Sequence, residues 1–109
     1  MNVIFLPEIQ EYYAYLEQVL YDEGYFGTIQ SSHKYVKELF DDITDNLHKK
    51  LHRPAPLYFD QYGENMKYAV FKKNRHTSWY VFFKTYVNNG ETIYLVRYIA
   101  NNHVIAQYL

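Results

Sequence analysis

The sequence predicts an α+β domain: an N-terminal strand and two antiparallel helices packed on one face of a mainly antiparallel C-terminal sheet. Three observations predict it. Two apolar stripes at helical spacing occupy residues 8 to 51, and period-two alternation of aromatic and β-branched residues occupies residues 67 to 99. Asn89-Gly90 joins two of the alternating runs, and both central positions of a type I′ turn need φ > 0, which Asn-Gly supplies. At 109 residues, 49% hydrophobic and 20% aromatic, the chain is expected to form one domain over residues 1–109 around one core.

Taken in order, Asn2 to Leu6 reads as a short strand. Pro7 then suits a helix start, because the donor it lacks would go unpaired in the first turn. Ile9, Tyr12, Tyr13, Leu16, Val19 and Leu20 make the apolar stripe of a first helix ending near Gly24. Ser31 or Ser32 is expected to cap a second helix, with Val36, Leu39, Phe40, Ile43, Leu47 and Leu51 as its stripe. Lys49, Lys50 and Arg53 would complement the dipole near its C-terminal end, where Pro54 and Pro56 stop it. Leu57 to Asn65 reads as irregular, with an extended piece at Leu57 to Phe59.

Three strands follow, at Lys67 to Lys72, Ser78 to Val87 and Thr92 to Ile99, with Lys73-Asn74-Arg75-His76 as a turn. A two-residue Asn89-Gly90 loop places Tyr86 opposite Ile93, Lys84 opposite Leu95, Phe82 opposite Arg97 and Tyr80 opposite Ile99. Alternation then puts Trp79, Val81, Phe83, Val87, Tyr94, Val96 and Tyr98 on an uncharged face that packs on the helices. Tyr80, Phe82, Lys84, Tyr86, Ile93, Leu95, Arg97 and Ile99 share the other face. An exposed mixture of cations and apolar groups of that kind suits a binding surface.

Charge is polarised along the chain. From residue 66 onward Lys67, Lys72, Lys73, Arg75, Lys84 and Arg97 stand against Glu91 alone, whereas the preceding residues are strongly acidic, so the overall −1 conceals a basic sheet and an acidic helical half. This distribution points to an anionic partner for the sheet. Without cysteine there is no disulfide framework and no thiolate metal site. The apolar run Val3 to Leu6 is too short for a signal peptide, and no stretch approaches a membrane span, so a soluble cytoplasmic protein without a membrane partner is expected.

Few residues suggest chemistry. His48 and His52 have a spacing that suits one metal, but the Lys-Lys-Leu between them supplies no base and repels a cation, so no metal and no cofactor are expected. Gly-rich phosphate loops and serine nucleophile motifs are missing. Asn101-Asn102-His103, by contrast, follows the last strand, and an imidazole beside arginine and lysine can move protons near neutral pH. Arg75, at the hairpin tip, is a further candidate.

The order of elements, the Trp79-Tyr80-Val81-Phe82-Phe83 strand and the Tyr94-Leu95-Val96-Arg97-Tyr98-Ile99 strand with its Asn101-Asn102-His103 exit resemble the RelE/ParE family of bacterial toxins from type II toxin–antitoxin modules. The resemblance spans nearly the whole chain in architecture, through diffuse motifs. It implies a ribosome-dependent, metal-independent mRNA endoribonuclease, in which a 2′-hydroxyl attacks the neighbouring phosphate, held in check by a cognate antitoxin. On this reading the catalytic candidates are His103 as general acid or base and Arg97 and Lys84 as phosphate-stabilising cations. Tyr80, Tyr108, Arg75 and Asn102 would contact substrate. Many relatives carry an arginine where this chain has Tyr80. The resemblance equally implies an alternative, a ParE-like inhibitor of DNA gyrase acting by binding, or a non-catalytic interaction module of the same fold.

Overall fold

The computed structural model describes residues 2–109. One sheet is built from β1 (Asn2–Phe5), β2 (Arg53–Pro54), β3 (Lys67–Lys72), β4 (Ser78–Asn88) and β5 (Glu91–Asn101), in the order β1-β5-β4-β3-β2. Its pairings are antiparallel except that β1 lies parallel to β5. Two long helices, α1 (Pro7–Asp22) and α2 (Ile29–Asn46), and a short α3 (Asn102–Ile105) complete the architecture.

Pro7 opens α1 at its first position, and Ile9 and Leu16 are the most deeply buried of its stripe. Thr28 caps α2 in place of Ser31 or Ser32: its hydroxyl oxygen accepts from the Ser31 N–H at 3.1 Å. Ser32 is fully buried and donates its hydroxyl to the Glu17 carbonyl. That bond, with the edge-on pair Tyr13–Phe40 at 4.7 Å, sets the start of α2 beside the end of α1, so the helices run antiparallel.

The end of α2 corrects the expectation from sequence. The helix stops at Asn46 and a 3-10 turn covers Leu47–Lys49, so Lys49, Lys50 and Arg53 lie beyond its last turn. His52 accounts for the change of course. Its Nε2 lies 2.9 Å from the Leu47 carbonyl, and its ring packs edge-on against Phe83 and Tyr94. Leu51 is thereby turned outward, 69% exposed, instead of closing the apolar stripe. Arg53–Pro54 then join the sheet, with proline tolerated on an edge strand. Leu57–Tyr62 form a 3-10 helix where an extended piece was expected at Leu57 to Phe59, and this brings Phe59 into the core.

The two faces of the sheet are both covered. On one, Ala69, Phe71, Trp79, Val81, Phe83, Val96 and Ile99 pack with α1 and α2. On the other, Phe82 and Ala100 pack with Phe59, Met66 and Ile105, so the 3-10 helix and α3 close much of the face expected to be open.

The hairpin begins as the Asn-Gly turn demands. Asn89 and Gly90 have φ of 52° and 77°, and Asn88↔Glu91 through Phe83↔Val96 follow the predicted register. Beyond that point a bulge intervenes: Phe82 pairs with Tyr98 and Tyr80 with Ala100, leaving Arg97 as the extra residue. The expected pairs Phe82–Arg97 and Tyr80–Ile99 do not form. Ile99 consequently turns to the helices and Tyr98 joins Phe82 on the opposite face.

Candidate functional site

The end of the sheet where β5 leaves for α3 is held by short polar contacts. In the β3–β4 hairpin the N–H groups of Lys73 and Asn74 donate to the Thr77 carbonyl at 3.0 and 3.3 Å. The Asn74 side-chain oxygen accepts from the His76 N–H at 2.8 Å, the local turn that asparagine favours. Across from it, Asn101 caps α3, its Oδ1 accepting from the N–H groups of His103 at 2.9 Å and Val104 at 3.2 Å.

Asn102 ties these two segments together. Its Oδ1 accepts from the Ser78 N–H at 2.9 Å while its Nδ2 donates to the His76 carbonyl at 3.2 Å. Both ends of the amide are therefore engaged in holding the hairpin against the β5 exit. His103, exposed, is carried over the same corner with Nε2 3.5 Å from Thr77 Oγ1. Arg75 and His76 are exposed in the hairpin itself. The base of the hairpin is braced on α2 by Lys73, whose ammonium lies 3.6 Å from Asp42.

Of the residues singled out from sequence, the structure thus brings His103, Asn102 and Arg75 to one corner. The others lie elsewhere. Lys84 pairs with Leu95 and borders a small cavity of about 120 Å³ with Asn65 and Lys67. From Leu95 to Asn101 is on the order of 20 Å of strand at ~3.4 Å per residue, so Lys84 does not share a site with His103. Arg97 donates from Nε to the Tyr62 carbonyl at 3.0 Å and borders a separate cavity of about 580 Å³ with Glu8, Tyr12 and Tyr62. Tyr80 is half-buried, 5.8 Å from the Tyr68 ring. Tyr108 stacks on Tyr58 at 3.6 Å with the rings 2° from parallel, and that contact raises its hydroxyl pKa through a hydrogen bond with Tyr58.

His76 was expected only as part of the turn Lys73-Asn74-Arg75-His76, and neither Thr77 nor the Asn101 cap was anticipated. A signal for the cap was present, since asparagine directly after an alternating run is a strong helix-start residue. Nothing local in the sequence announces that Thr77 and His103 meet, or that Asn102 binds the His76 carbonyl.

Behind the corner lies a cavity of about 430 Å³ between α1, the α1–α2 connection and the Asn101 end of the sheet. Its walls are rich in aromatic side chains from α1, α2 and the connection, and its polar groups from the sheet end include Asn74, Thr77, Asn101 and His103. Trp79, at the floor, donates from Nε1 to the Tyr35 hydroxyl at 2.9 Å. Tyr12 and Val104 border this cavity and the one beside Arg97. Burial pushes the Tyr12 hydroxyl up to about 12, with a smaller contribution from Tyr15.

The arrangement offers the exposed imidazoles of His103 and His76, an exposed arginine in the same hairpin and an aromatic cavity. Among the described residues, no three His, Cys, Asp or Glu side chains are grouped to hold a metal ion, and no helix is long and apolar enough to cross a membrane. No protein-family model, curated protein or solved structure matches this chain.

Proposed function

We propose that this chain is the toxin of a type II toxin–antitoxin pair with a RelE/ParE-like fold, and that it cleaves mRNA on the ribosome from the corner formed by the β3–β4 hairpin and the β5 exit. The observation that carries the proposal is the meeting of His103 with Thr77, in the hairpin that also bears Arg75 and His76, on the basic half of the molecule. Cleavage by an internal 2′-hydroxyl needs one group to take its proton as the oxygen attacks phosphorus. A second group must protonate the departing 5′-oxygen, leaving a cyclic phosphate and a free hydroxyl. His103 and His76 supply two imidazoles for those roles, and Arg75 supplies charge for the crowded phosphate oxygens. Asn102 positions both segments. Lys84 and Arg97 take no part in this assignment, and Tyr80 and Tyr108 do not contact substrate in it. An antitoxin would neutralise the protein by covering the basic hairpin.

A second reading, inhibition of DNA gyrase or another target by binding alone, is favoured by one observation. Arg97 and Lys84, the in-strand cations, stand away from His103, and Tyr80 stands where the resemblance leads one to expect arginine.

Induced expression in bacteria of the wild type, His103→Ala and Arg75→Ala, scored for growth and for new transcript 5′ ends, separates the two. Codon-positioned cuts lost in both variants support cleavage. Arrest with gyrase-linked DNA breaks and no new 5′ ends supports binding, and unimpaired growth with the wild-type protein removes the toxin reading.

A further inference from the structure

The aromatic cavity behind His103 has features that packing alone does not explain. Tyr15 and Tyr25 border it yet remain 63% and 66% exposed, and large rings left in solvent beside a concavity are typical of a surface awaiting a flat partner. Its volume of about 430 Å³ falls among small-ligand sites, which run to roughly 300–1,000 Å³ and combine apolar walls with a few placed polar groups.

Asn101 supplies such a group. Its Oδ1 accepts from two backbone N–H groups, which fixes the orientation of the amide, since the nitrogen cannot accept. Its Nδ2 has no partner among the described residues, although Asn101 borders the cavity. Two N–H donors are therefore offered at the cavity wall with no acceptor among the described residues. Opposite in origin and character, the Glu23 carboxylate from the end of α1 also borders the space and can accept. Aromatic faces, an amide donor and a carboxylate acceptor match a planar heterocycle with both carbonyl and amino edges. Arg75, exposed in the adjoining hairpin, suits the phosphate of a nucleotide that carries such a ring.

We propose that this cavity is a nucleobase pocket, in which a base stacks on Tyr15 and receives a hydrogen bond from the Asn101 amide while its backbone passes His103. The inference rests on the RNA reading above and deepens it by naming where the nucleotide next to the cleaved bond is held. Base stacking on an aromatic ring tolerates sequence, whereas the Asn101 and Glu23 contacts discriminate among base edges.

The sole tryptophan, Trp79, borders the cavity and reports on it. Purified full-length protein is titrated with each of the four uncharged ribonucleosides, then with the nucleoside monophosphates and a short single-stranded RNA, following heat and Trp79 emission together. Saturable binding of at least one nucleoside is expected, tighter for the monophosphate and tighter again for RNA if a strand is the natural source. Tyr15→Ala removes an exposed ring without touching the core, and Asn101→Asp keeps the oxygen that caps α3 while deleting the amide donors. Each should weaken nucleoside binding roughly tenfold. Absence of both signals up to millimolar ligand overturns the pocket, as does binding unchanged in both variants. Transcript cuts by the wild type that persist in Tyr15→Ala and Asn101→Asp would overturn the pocket and leave the nuclease standing. Variant-sensitive nucleoside binding without any cuts would keep the pocket and remove the nuclease.

Discussion

Arg97 donates from Nε to the backbone carbonyl of Tyr62 at 3.0 Å, so the extra residue of the β5 bulge is anchored to the 3-10 helix that covers the sheet. Gly63 follows Tyr62 with φ of 155°, and a Cβ there would sit 2.6 Å from Arg97 Nε and 2.9 Å from its Cδ. Gly63→Ala should therefore displace the arginine and break its bond, costing on the order of 1–3 kcal/mol. Thermal unfolding checks this. Combined with Arg97→Ala, the loss should be clearly less than the sum of the two single effects, because both substitutions disrupt the same contact.

Asn102→Ala should loosen the corner. It removes the acceptor for the part-buried Ser78 N–H and the donor for the exposed His76 carbonyl, a loss of about 1–2 kcal/mol. The Ser78 amide should exchange faster with solvent in the variant, measured by hydrogen exchange, while the β4–β5 turn at Asn89-Gly90 keeps its protection. Asn102→Asp, which retains an oxygen facing Ser78, should protect that amide better than alanine does.

Alkaline pH should destabilise the fold through its partly buried tyrosines. Tyr12 is raised from 10.0 to about 12 by burial, and Tyr98 is raised further by burial and a hydrogen bond with Tyr62. Because the folded state holds these protons when the unfolded state has released them, stability is intact below pH 10 and falls as pH rises through the window from 10 to about 12. The Tyr12 share is at most about 2–3 kcal/mol. In Tyr12→Phe, denaturant unfolding at pH 9 and pH 11.5 (roughly the two ends of that window) should differ less than in the wild type.

The start of α2 distinguishes two hydroxyls that look equivalent in sequence. Thr28→Ala removes the oxygen that accepts from Ser31 N–H and should cost about 1 kcal/mol. Ser31→Ala leaves that bond in place and should cost much less, read from paired chemical denaturation curves.

Much of the candidate site was legible only in pieces. His103, Asn102 and Arg75 could be picked out because polar and basic residues interrupt an otherwise alternating sheet. Their association through the His76 carbonyl and Thr77 could not, since it depends on how far β5 slides along β4. Lys84 pairs with Leu95 as the turn predicts yet lies several residues along the strand from His103, and Arg97 is the extra residue of the bulge, held to the Tyr62 carbonyl. Alternation records which residues share a face but not how far apart along a strand they lie, and a single bulge between Phe83 and Phe82 reverses the faces beyond it.

The sequence by itself determined the α+β class, the single strand before two amphipathic helices, the spans of β3 and β4 to within a residue, and the Asn89-Gly90 turn. These are local properties, set by periodicity and by backbone conformations that few residues accept. Tertiary structure alone decided the end of α2 at Asn46, where His52 packs against Phe83 and Tyr94, and the closure of the second sheet face by Phe59 and Ile105. It likewise decided the corner beneath His103. Each of these depends on contacts between residues distant in the chain, whose combined burial outweighs the local preference that a sequence pattern expresses.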